Sequence, residues 1–119
     1  MEKDTLYERG KIKITYLHSP EPGREKEVIS GEDHELWIRK GENEWRRYIL
    51  QREILRELAD AAKRSSSDLV DKLMTVNLVM LHRLRSQEIT LDEIGNVFIE
   101  AYRKEEEEFE RVVLGNRTD

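Results

Sequence analysis

Trp37, Arg39, Lys40, Trp45, Arg46, Arg47 and Tyr48 fall in one short stretch, with Arg52 and Arg56 close behind. Arginines interleaved with aromatic rings can hold phosphates and stack bases. The same residue types dominate the hot spots of protein interfaces. A third reading is plain structure, in which the tryptophans cover a sheet and the arginines pair with nearby glutamates. Formal net charge decides the order of the first two. At −5 it counts against nucleic acid, whose affinity rests on excess positive charge. Of the two binding readings protein association leads, while plain structure is the simplest account of the cluster itself. A nucleic-acid-associated regulator, with Trp37 and Trp45 as stacking platforms and Arg39, Lys40, Arg46 and Arg47 on phosphates, is the alternative.

Other chemistry has thin support. The chain has no cysteine, and its three histidines are scattered at 18, 34 and 82. No serine sits in a Gly-x-Ser-x-Gly elbow, so no triad is assembled. Neither a Gly-x-Gly-x-x-Gly nor a P-loop pattern occurs. Glu32, Asp33, His34 and Glu35 place four possible metal ligands in a row, but consecutive residues rarely converge on one ion and turns favour polar residues anyway. The run Glu105–Glu108 with Glu110 gives carboxylates three and four apart on a helix. Metal sites of that kind need partners on facing helices, and a solvated acidic face is the simpler expectation. His82, among apolar neighbours, reads as a hydrogen-bonded core or boundary residue. No metal, no cofactor and no enzymatic activity are expected.

Positioning these residues requires a fold. Charged residues make up 39% and hydrophobic ones 37% of the 119 residues, with both signs abundant, which suits one folded domain with a charged surface. Without a leader-like segment or an apolar run near about 18 residues, a soluble cytoplasmic chain with no membrane span is expected. Charge is uneven: residues 34–56 carry six basic and four acidic groups, residues 86–119 four basic and ten acidic.

Residues 11–50 read as a small antiparallel β meander. Ile12, Ile14 and Tyr16 alternate with Lys11, Lys13 and Thr15, as do Leu36 and Ile38 with Trp37, the mark of half-buried strands. Glu27–Ser30 is a further short candidate. Glu44–Leu50 reads as the return strand of a hairpin, with a helix capped by Asn43 as the alternative. Residues 1–9 show no period and are expected to be loose or weakly helical.

Residues 51–114 read as three helices, which makes the fold class α+β. The first spans Gln51–Lys63, and Arg56 and Asp60 can pair along it for about 0.2–0.5 kcal/mol. The second, Asp68–Arg85, is capped by Ser67 and is apolar round most of its circumference. Two neighbouring stripes run along it: Leu69, Leu73, Val76, Met80 and Leu84, then Val70, Met74, Leu78 and Leu81. Such a helix must be covered on several sides, so it is expected at the centre of the helical core. The third opens with a Thr90/Glu93 capping box and runs from Leu91 to about Val113. Gly95 permits a close approach to the central helix. More apolar surface is present than two helices and a meander hide, which points to a protein partner and first to a homodimer. The residues expected at that interface are Leu73, Met74, Met80, Leu81, Phe109 and Val113.

Overall fold

The computed structural model describes residues 5–16 and 33–115. Four antiparallel strands, β1 (Thr5–Arg9), β2 (Ile12–Tyr16), β3 (Asp33–Gly41) and β4 (Glu44–Gln51), form one sheet in the order β1-β2-β3-β4. Four helices follow: α1 (Arg52–Arg64), α2 (Ser66–Val76), α3 (Leu78–Ser86) and α4 (Leu91–Gly115). The α+β class and the meander-then-helices order are as the periodicity predicts. Two elements differ, and a third expectation is not tested. Thr5–Arg9 is a strand, not a loose end; an irregularity between Thr5 and Tyr7 breaks the alternation that would have marked it. The second helix is two helices. The expected strand at Glu27–Ser30 lies outside the described residues.

The ambiguous segment Glu44–Leu50 is the return strand. Asn43 takes a positive φ of 65° in the turn, a conformation asparagine tolerates better than most residues, and this folds β4 back on β3 with Trp37 opposite Arg47 and Leu36 opposite Tyr48.

Strand alternation sends Ile12, Ile14, Leu36, Ile38 and Leu50 to one face, where all are buried. The helices cover that face and supply Leu55, Leu58, Leu69, Leu73, Met80, Leu81, Leu84, Ile94, Val97, Phe98 and Ala101 to the same core. The molecule is thus two layers, helices on one side of a sheet.

Serine and asparagine punctuate the helices. Ser65, rather than Ser67, ends α1 and caps α2: its hydroxyl accepts the Asp68 N–H at 3.0 Å. Asn77 does the same between α2 and α3. Its backbone N–H closes α2 on the Leu73 carbonyl, its own φ and ψ are extended, and its side-chain oxygen accepts the Met80 N–H at 3.0 Å. Caps of this kind satisfy backbone donors that a helix start leaves unpaired. Asn77→Ala is expected to lower stability by about 1 kcal/mol, read as a lower urea midpoint at unchanged slope.

The expected central position does not belong to residues 68–85. The most extensive helix packing is α1 on α4, with α2 against both and α3 against α2 and β3. Leu73, Met80 and Leu81 reach the core, but Met74, Leu78 and Val79 remain in solvent. Lys72 hydrogen-bonds the Glu57 carboxylate between α1 and α2 and holds it below its usual range. Arg56 pairs with Glu53 at 2.6 Å rather than with Asp60. The capping box is formed as expected, with Thr90 Oγ1 accepting the Glu93 N–H at 3.1 Å and Glu93 Oε1 accepting the Thr90 N–H at 3.2 Å. No helix among the described residues is long and apolar enough to cross a membrane.

Candidate functional site

Among the described residues, two surfaces and one buried pair hold side chains capable of recognition or proton chemistry. The first surface is the sheet face turned away from the helices. Cross-strand register lays its residues out in rows. Glu8, Lys13, Trp37 and Arg47 form one; Thr5, Thr15, Glu35 and Ile49 form the next; Arg39 faces Trp45 in a third. Directly opposed residues on one face lie about 5 Å apart, close enough to interact. The Lys13 ammonium sits over both indoles, 4.7 Å from the Trp45 ring centroid and 5.4 Å from that of Trp37, a favourable cation–π arrangement.

Hydrogen bonds hold part of this face in place. Trp37 Nε1 donates to Thr15 Oγ1 at 2.9 Å, and the Thr15 hydroxyl donates to Glu35 Oε1 at 3.2 Å. Arg47 donates to the other Glu35 oxygen at 2.8 Å. Glu35 is buried by this chain of contacts even though it belongs to the open face. Trp37 and Trp45 are half-buried, and Ile49 on the same face is 61% exposed.

The second surface lies where α2 turns into α3. Met74, Leu78 and Val79 are 52%, 61% and 64% exposed. Beside them is a groove of about 400 Å³ lined by Leu78, Val79, Leu81, His82 and Arg85. His82 is therefore a surface residue at a groove edge, not a core histidine.

The buried pair joins the sheet to α4. His34 is fully buried, with its ring 5.5 Å from that of Tyr16. Its Nε2 lies 3.3 Å from Glu105 Oε2 but is not aligned for a hydrogen bond. Arg52 Nε approaches the other Glu105 oxygen at 3.4 Å, and its guanidinium lies over the Tyr102 ring. Burial raises the Tyr102 hydroxyl pKa, and the neighbouring Glu106 carboxylate adds to the effect. Among the described residues no three histidine, aspartate or glutamate side chains converge so as to hold a metal ion. Of the tetrad Glu32–Glu35, Glu32 lies outside the described residues, while His34 and Glu35 point to opposite faces of the sheet. The acidic run of α4 divides similarly: Glu105 is buried, while Glu106, Glu107 and Glu110 are exposed.

The sequence-derived binding cluster is split by the pleat. Trp37, Arg39, Trp45 and Arg47 share the open face; Arg46 and Tyr48 alternate to the helix side, where Tyr48 packs against the core, and Lys40 lies at the irregularity between Arg39 and Gly41. Lys13, which the sequence reading left out, completes the open face; its place in the Lys11/Lys13/Thr15 alternation was the available signal. Of the residues expected at an interface, Leu73, Met80 and Leu81 are core residues of the single chain and Met74 is exposed. The side chains of Phe109 and Val113 lie outside the described residues. Leu78 and Val79 were not among those expected there. Comparison with protein-family models, with curated proteins and with solved structures returned no match.

Proposed function

We propose that this chain is a non-enzymatic interaction module that binds protein, in the first place a second copy of itself, through the turn between α2 and α3. The observation that carries this is the exposure of Met74, Leu78 and Val79 within residues 74–79. Scattered single apolar residues on a surface need no partner, whereas a cluster beside a groove marks an interaction site. A second copy is the favoured occupant because projection and recess lie side by side. Leu78 and Val79 form the exposed wall of the groove, and the buried Leu81 also lines it. A two-fold interface uses the same patch on both subunits and so requires that kind of self-complementarity. Methionine at the edge supplies adaptable packing.

Sedimentation equilibrium across low to high micromolar protein tests the proposal. Mass is expected to rise to that of a dimer. The Leu78→Glu/Val79→Glu variant is expected to remain monomeric with its Tm little changed, since neither side chain is in the core. A wild-type chain that stays monomeric over the whole range overturns it.

A further inference from the structure

The open face of the sheet is distinct from the α2–α3 surface and has its own chemistry. It carries two indoles in neighbouring rows. Each indole has a cation directly opposite, Lys13 and Arg47 beside Trp37 and Arg39 beside Trp45. Glutamate is present at Glu8 and Glu35, but Glu35 is already taken up by Arg47 and Thr15. Arg47 uses one of its five N–H donors there and keeps others for a ligand.

We propose that this face binds single-stranded nucleic acid, with bases stacking on Trp37 and Trp45 and phosphates meeting Lys13, Arg39 and Arg47. Aromatic rings interleaved with cations are what sequence-tolerant single-strand binding needs, because every base has a π face and every linkage an anion. An acidic polypeptide would use the cations and leave the indoles with no matching group. Lys13 now lies over both rings; a base can take that position as the ammonium moves to a phosphate.

Net charge does not forbid this. The acidic excess lies in residues 86–119, most of them in α4. That helix packs on the other side of the sheet. A helix with its side chains is about 10–12 Å across, while charges in solvent are screened over about 8 Å at physiological salt. The exposed Glu106, Glu107 and Glu110 therefore act weakly at the indole face, which sees mainly its own cations.

The test titrates the whole protein into fluorescently labelled oligothymidine at low salt and reads anisotropy, with tryptophan fluorescence as the second signal. Saturable binding with quenching, weakened as salt rises, is expected. Trp45→Ala is expected to bind about tenfold more weakly, and Lys13→Glu more weakly still, each with an unchanged circular dichroism spectrum. Should Trp45→Ala fail to fold, Trp45→Phe and Lys13→Glu carry the comparison. The Leu78→Glu/Val79→Glu variant is expected to bind normally, which separates this result from the self-association result. A flat titration overturns the proposal. Equal affinity for a duplex of the same length, or for polyglutamate in competition, also overturns it, because either would show that the rings take no part.

Discussion

Glu105→Ala is expected to destabilise the protein by about 1–3 kcal/mol, the usual cost of leaving buried polar groups without a neighbour. Glu105 reaches inward from α4 to His34 at 3.3 Å and to Arg52 at 3.4 Å. Its removal leaves the His34 ring fully buried. Neither nitrogen of that ring has a hydrogen bond from another described residue. A buried polar group without a partner costs the full price of its desolvation. Replacing both residues reverses the logic. His34→Leu/Glu105→Leu fills the space with apolar atoms and orphans nothing inside, so it is expected to recover most of the loss and to approach or exceed wild-type stability, as apolar replacements of buried pairs do. Urea unfolding of the two single variants and the double variant gives the coupling directly. A loss below about 1 kcal/mol for Glu105→Ala, within the range of surface pairs, would mean that the contact is incidental to the fold.

That pair also shows what could and could not be read in advance. Local order was legible because it rests on short spacings. Ile12, Ile14, Leu36 and Ile38 alternate cleanly, and Thr90 with Glu93 spells its cap in four residues. His34 has the same parity as Leu36 and Ile38, and Glu105 follows Phe98 and Ala101 on the buried stripe of α4, so each was readable as inward-facing. Their meeting was not, because it depends on how α4 lies across the sheet. A break at Asn77 was hidden for a different reason. The apolar run continues on both sides of it, and asparagine's capping preference is a weak signal against seven apolar residues between 73 and 81. Once the helix breaks there, Leu73, Met80 and Leu81 find the core of their own chain, and the surplus falls on Met74, Leu78 and Val79. The exposed apolar surface therefore keeps only Met74 of the interface residues that the periodicity suggested and adds Leu78 and Val79. For the tryptophan and arginine cluster the pleat was the missing operation: treating residues 37–48 as one patch ignored that successive side chains in a strand point to opposite faces.

Gly95→Val is expected to destabilise by about 1–3 kcal/mol, the range for forcing extra atoms into a packed contact. A glycine early in a long helix is costly, about 1 kcal/mol relative to alanine, so its presence needs a reason, and the packing supplies one. A Cβ at this position would lie 3.2 Å from the Ala62 Cβ of α1 and 3.5 Å from Leu69 Cδ2 of α2. Three helices therefore meet at one point, and the close approach that glycine permits is made to α1 as well as to α2. Leu69 can turn its terminal methyl aside, but the Ala62 Cβ is fixed to its backbone and moves only if α1 moves. Gly95→Ala sets these effects against each other. The propensity gain of about 1 kcal/mol offsets a contact only a few tenths of an ångström too short, so its stability is expected to stay near wild type. Valine adds two γ carbons at the same crowded place and has a poorer helix propensity, so the balance is lost. Thermal unfolding of the pair reads the difference. If valine proves as well tolerated as alanine, α4 is free to shift away from α1, and the tight three-helix junction does not hold the helical layer together.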